Sequence, residues 1–141
     1  MLLGLMKAVG AQHETNTSVG IVAPSKEEQE CLIRRVLEQA RVEPKDIAFF
    51  EAHGTGTKVG DPVEATAIYR AVGKSLSPRD ALYIGSVKSN IGHLENASGI
   101  VSVIKAALML EKGFNVPNAD FERANPAIPL PRWNMRVSGR L

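Results

Sequence analysis

IAFFEAHGTGTKVGDPVEATAIYRA, residues 47–71, reads as a strand, a glycine-rich loop and a helix in direct succession. Ile47, Ala48, Phe49 and Phe50 form a short apolar run of the kind that makes a buried strand. His53 follows at its carboxyl end, among Gly54, Thr55, Gly56 and Thr57. Asp61, Pro62 and Glu64 then mark a helix start, with Asp61 as N-cap, proline in the first turn and an acidic residue after it. Ala65, Ala67, Ile68 and Ala71 continue that helix, and Gly73 suits its end.

The same pattern recurs on both sides. Upstream, residues 20–24 read as a short strand or loop. Ser25 and Glu28 then have the spacing of a capping box, and Leu32, Ile33, Val36, Leu37 and Ala40 recur at helical spacing until Pro44 intervenes. Downstream, residues 82–87 read as a second buried strand that delivers Lys88 and then His93. From about Asn96 a third helix carries Ile100, Val101, Val103, Ile104, Ala107, Leu108 and Leu110, apolar on most sides and so expected inside the protein. After Gly113, Pro117, Pro126, Pro129 and Pro131 punctuate a tail of strands and loops. Strands alternating with helices imply an α/β layer with a largely parallel sheet.

Composition narrows the class. The 141 residues are enough for one ordinary domain, and 44% apolar with 23% charged residues is the balance of a globular protein. A formal net charge of +2 with no basic cluster argues against nucleic acid. No apolar run is long enough to span a membrane. Residues 1–10 have neither the basic segment nor the cleavage site of a secretory signal and read as a strand. Cys31 is the single cysteine, which fits a reducing, cytoplasmic setting.

In an open α/β sheet, ligands bind beyond the carboxyl ends of strands, so His53 and His93 can converge across forty intervening positions. Two neutral imidazoles aimed at one oxygen make an oxyanion-stabilising site, each donor worth about 3–4 kcal/mol in the transition state. Gly54, Gly56 and Gly92 allow close backbone approach beside the rings. Thr55 and Thr57 can hydrogen-bond a linear polar ligand at the mouth. Lys88 needs a carboxylate if buried, and Glu64 and Asp61 are its candidate partners, Glu64 also being explained as a capping carboxylate. A zinc site from His53, His93 and Glu51 lacks ligand spacing, and neither the glycines at 54, 56 and 60 nor Gly73-Lys74-Ser75 fits a phosphate loop.

The runs EAHGTGTKVGDPVEA and GSVKSNIGHLENASGIVSVIKA closely resemble the carboxyl-terminal half of β-ketoacyl synthase (ketosynthase) domains of the polyketide synthase type. The similarity extends through GIVAPS before them and Asn125-Pro126 after them. The resemblance implies an α/β fold, the carboxyl-terminal half of a thiolase-like fold, with a mixed, largely parallel sheet and helices on its faces. It divides the chain into a ketosynthase lobe over residues 1–124, an incomplete domain, and a proline-containing tail over 125–141. The implied reaction is decarboxylative Claisen condensation of an acyl thioester with a malonyl-type extender. His53, His93 and Lys88 are then catalytic, Thr55, Thr57, Gly54 and Gly92 contact substrate, and Glu64 and Asp61 support them.

The resemblance also implies no bound cofactor or metal, substrates carried on phosphopantetheine, and an acyl carrier protein as partner. An intact domain of the family is expected to be a homodimer. The family's nucleophilic cysteine lies in an amino-terminal half that this sequence does not contain, so a complementary half is a further expected partner. Cys31, within the first helix, is expected to pack rather than react. At residues 12–17 the sequence departs from the family's usual Asn-x-Asp-Gly turn, leaving His13 as a loop histidine. Three readings stand open: part of a polyketide-type ketosynthase inactive alone, a non-catalytic remnant or accessory protein binding a carrier protein or synthase subunit, and a residual malonyl-thioester decarboxylase. Alone, the chain is expected to expose the apolar third helix or one sheet face.

Overall fold

The computed structural model describes residues 25–138. The expected strand over residues 1–10, the 12–17 loop with His13, and the 20–24 segment lie outside the described residues. The remainder builds a three-stranded parallel sheet of order β1 (Phe49–Glu51), β2 (Leu82–Gly85) and β3 (Met135–Val137). Its helices are α1 (Lys26–Ala40), α2 (Gly60–Ala71), α3 (Lys88–Ile91) and α4 (Ser98–Lys112).

Helix α1 starts where the capping pattern places it. Ser25 is extended and its hydroxyl accepts the Glu28 N–H at 3.2 Å, while Arg41 closes the helix in a left-handed conformation at φ 53°. Its apolar stripe leans on α2 and the core through Ile33 and Leu37, both half-buried. Across the α1–α2 seam, Arg70 reaches Glu27 at 3.1 Å, and Arg34, paired with Glu30 at 2.9 Å, also donates to the Arg70 carbonyl. Cys31 is exposed on α1. The expectation that it packs is therefore corrected: it falls off the apolar stripe of its helix.

Pairing runs Phe49↔Tyr83, Phe50↔Ile84 and Glu51↔Gly85, then Leu82↔Met135, Tyr83↔Arg136 and Ile84↔Val137. The core lies where α2 covers this sheet: Ile68 and Val72 from the helix side meet Leu82 and Met135, all four fully buried. Tyr69 stacks on Trp133, with ring centroids 4.7 Å apart and planes 7° from parallel. The tail thus supplies both a strand and core side chains, including Leu130.

Two boundaries differ from expectation. β2 ends at Gly85 rather than near residue 87, because side chains replace the ladder: Ser86 N–H donates to Asn118 Oδ1 at 3.1 Å, and Val87 N–H to Glu51 Oε1 at 2.6 Å. α2 starts at Gly60, so Asp61 stands inside its first turn instead of at the N-cap.

The larger correction concerns α4, which the sequence pattern places inside. Only Ser98, Lys105 and Met109 of this helix are buried, whereas Ile100 is 68% exposed and Val103, Ile104, Leu108 and Leu110 each about half. No described segment lies over that face. The usual amphipathic logic is inverted: a lysine points in and leucines point out. This is the exposure expected of the chain standing alone.

Candidate active site

Ala52 extends β1 by one more hydrogen bond, its N–H donating to the Gly85 carbonyl at 2.8 Å. The chain then turns sharply at His53. Gly54 takes φ +51°, and a Cβ there would sit 2.8 Å from Ser86 Cβ, so only glycine fits against the tip of β2. Ser86 Oγ–H donates to the His53 carbonyl at 3.2 Å, tying the two strand ends together.

The acidic residues at the start of α2 hold this turn from the other side. Glu64 accepts the His53 N–H at 2.6 Å and the Gly54 N–H at 2.9 Å, one on each carboxylate oxygen. Asp61 Oδ1 accepts the Gly56 and Thr57 N–H groups at 3.1 and 3.2 Å. Thr57 Oγ1 in turn accepts the Gly60 N–H at 3.0 Å. The expected pairing of Lys88 with Glu64 or Asp61 is not formed among the described residues. Both carboxylates are committed to backbone N–H groups of the histidine loop. Lys88 is half-buried at the start of α3 and lines the same cleft as they do.

His93 follows Gly92, which closes α3 with φ +76°. Its Nδ1 accepts the Glu95 N–H at 2.9 Å and lies 3.1 Å from Ser98 Oγ. Ser98 Oγ itself accepts the Leu94 N–H at 3.0 Å, which leaves its own proton to be given to Nδ1. A ring nitrogen that receives two donors carries no proton, so in neutral His93 the proton resides on Nε2. Among the described residues that N–H has no partner, which leaves it for a ligand.

His53 and His93 come together. Their ring centroids are 5.3 Å apart and the planes cross at 88°. Both rings are exposed among the described residues. They open onto adjoining clefts. One, of about 540 Å³, is lined by His93 and Lys88; the other, of about 480 Å³, by His53 and Thr57; Thr55, Asp61 and Glu64 line both.

Glu51, Ser86, Ser98, Lys105 and Asn118 also serve this region, and sequence reasoning gave them no such role. Glu51 binds Lys105 at 2.7 Å. One signal was present: Lys105 is the only charged residue between Ile100 and Leu110.

Residues 3–122 match the family model for the β-ketoacyl synthase C-terminal domain. The chain belongs to that family. It is 59% identical over 118 residues to Highly-reducing polyketide synthase 1 of Aureobasidium melanogenum, covering 84% of this chain and 5% of that synthase. With Highly reducing polyketide synthase Preu1 of Preussia isomera it shares 43% identity over 137 residues, 97% of this chain and 6% of the other.

Among solved structures, the ketosynthase from module 1 of the bacillaene synthase of Bacillus amyloliquefaciens superposes with TM-score 0.88 at 34% identity, covering 94% of this chain and 24% of that one. The oxazolomycin ketosynthase domain OzmH KS7 of Streptomyces albus gives 0.83 at 37%, covering 91% and 22%. The fold is therefore the thiolase-like ketosynthase fold, seen over its carboxyl-terminal domain. This chain spans about a twentieth of the curated synthases it matches and under a quarter of the solved ketosynthases.

Proposed function

We propose that this chain supplies the extender-activating half of a polyketide-type ketosynthase. The observation that carries the reading is the meeting of two imidazoles 5.3 Å apart, with the Nε2–H of His93 left free by the bonds on its Nδ1. A malonyl thioester placed with its carbonyl oxygen between the rings would receive hydrogen bonds from both. Loss of CO2 breaks the bond between the malonyl carboxyl and the α-carbon. The electron pair passes to the thioester oxygen as an enolate, where the two N–H donors are worth most. The enolate carbon then attacks an acyl thioester carbonyl, and the thiolate that carried the acyl group leaves.

His53 and His93 are the donors in this scheme, and Lys88 contributes positive potential to the cleft. Thr55 and Thr57 flank the path of a phosphopantetheine arm, so the substrate is a carrier-linked acyl group and no resident cofactor is needed. Gly54 and Gly92 give the backbone room beside it. Glu64 and Asp61 act by holding the loop. The acyl-bearing thiol comes from elsewhere: Cys31 is the sole thiol of the sequence and is exposed on α1. The condensing unit is accordingly this chain together with an amino-terminal ketosynthase half and an acyl carrier protein, in a cytoplasmic assembly that is homodimeric when complete. The exposed apolar face of α4 favours the need for that complement, and alone the chain is inactive in condensation.

The test is to incubate the protein with malonyl-loaded carrier protein, with and without an amino-terminal ketosynthase half, and to follow acetyl and β-ketoacyl products. His53→Ala and His93→Ala each lower decarboxylation by about a hundredfold to a thousandfold. Turnover equal to that of the double variant would end the assignment.

A further inference from the structure

Glu51 is the last residue of β1, two positions before His53, and its carboxylate is divided between two other elements. Oε2 lies 2.7 Å from Lys105 Nζ on α4, and Oε1 accepts the Val87 N–H at 2.6 Å, one position before Lys88. The lysine and glutamate side chains are only 6% and 10% exposed. Lys105 Nζ also stands 5.1 Å from the centre of the Phe49 ring. Gly85 makes its passage possible, since a Cβ there would be 3.2 Å from Nζ and 3.1 Å from Phe49 Cζ.

Ser98 and Lys105 are about two helical turns apart, so they share one face of α4. Through Ser98 that face touches the His93 ring, and through Lys105 it touches the strand that carries His53. The bulk of the helix's apolar side chains point away from this contact. Apolar packing tolerates rotation and sliding of a helix; a buried ion pair with one carboxylate oxygen as its target does not. Turning α4 by one residue, 100°, would swing Lys105 off Glu51 and Ser98 off His93 together.

We propose that Glu51 and Lys105 are positioning residues: their buried ion pair fixes α4 against β1 and thereby sets the His53–His93 separation and the His93 tautomer. This rests on the two-imidazole site proposed above. The pair touches no substrate. It acts through the amino-terminal end of α4, where Ser98 and the contiguous Glu95 both donate to His93 Nδ1, so that movement of the helix withdraws both donors together, and through the turn at Val87.

The full 141-residue chain and its Glu51→Gln/Lys105→Met variant, which leaves no unpaired charge, are compared by long-range proton–nitrogen spectra of the imidazoles. Urea unfolding is recorded in parallel. The native chain shows His93 almost wholly as the Nε2–H form, together with a ring-to-ring cross-peak to His53. The double variant keeps a cooperative unfolding transition, but the Nε2–H form falls to roughly half and the cross-peak weakens several-fold. Ile104→Ser, on the exposed face of α4, changes neither signal. Native-like ring spectra in the folded double variant would overturn the proposal. So would its failure to fold, which would make the pair a stability element only, and so would a native chain with mixed tautomers. Turnover is not the readout: native-like spectra in the folded double variant would end this proposal and leave the two-imidazole site standing, whereas mixed tautomers in the native chain would count against both.

Discussion

Glu64 grips the backbone of His53 rather than any side chain: its two oxygens receive the N–H groups of His53 and Gly54 at 2.6 and 2.9 Å. An acid four residues into α2 thus fixes a loop ten positions upstream. Both of its oxygens are taken up by backbone N–H groups, so its place in this site is to hold the loop. Glu64→Ala leaves two N–H groups without their charged acceptor. The expected cost is about 1–3 kcal/mol, and amide hydrogen exchange at His53 and Gly54 should accelerate at least tenfold. Glu64→Gln keeps one acceptor but turns an amide NH2 toward the other backbone N–H, so it should recover little of that loss.

Gly54 and Gly56 both take positive φ, yet they predict different outcomes. Gly54→Ala places a methyl 2.8 Å from Ser86 Cβ on top of the unfavourable dihedral, while Gly56→Ala meets nothing within 4 Å. Chemical denaturation should show about 1–2 kcal/mol lost for Gly56→Ala and clearly more for Gly54→Ala.

Ser98→Ala removes one of the two donors to His93 Nδ1 and the acceptor of the Leu94 N–H. Glu95 still donates to Nδ1, so the ring should keep its preferred tautomer with less restraint. Malonyl decarboxylation is expected to fall by roughly fivefold to tenfold, the equivalent of about 1 kcal/mol. An unchanged rate would mean that the Glu95 N–H alone orients the ring.

The outward face of α4 makes its own prediction. Ile100→Ser and Leu108→Ser remove exposed apolar surface, not core contacts. Each should shift unfolding free energy by less than about 0.5 kcal/mol. Light scattering at high protein concentration should drop, and complementation by an amino-terminal ketosynthase half should weaken.

Local signals decide the first elements directly. The Ser25 cap, the stripe of α1 and the apolar runs of β1 and β2 depend on residues within a few positions of each other, and each element formed within one to three residues of its expected bounds. The approach of His53 to His93 holds, but only His53 lies near a strand end: His93 stands eight residues past β2, brought to its partner by α3 and the turn at Gly92. What spacing could not show was the destination of charged side chains. Glu64 and Asp61 suggested partners for Lys88, but the nearest unsatisfied groups were the N–H groups of a turn that exists only once Gly54 has adopted φ +51°. Lys105 was hidden for a related reason: helical periodicity identifies an apolar face and assumes that it is the buried one. On α4 the contact with the sheet is made instead by a cation that has a carboxylate waiting for it.

β2 is the middle strand, and its second neighbour is β3, which arrives from Met135 after all of α3 and α4 have passed. During synthesis the central strand must therefore wait, paired on one edge only, until the chain has emerged from the ribosome well beyond the two histidine segments. Contacts so distant along the chain form slowly. The nascent protein offers a chaperone a long interval in which both the open strand edge and the leucines of α4 are available to be held.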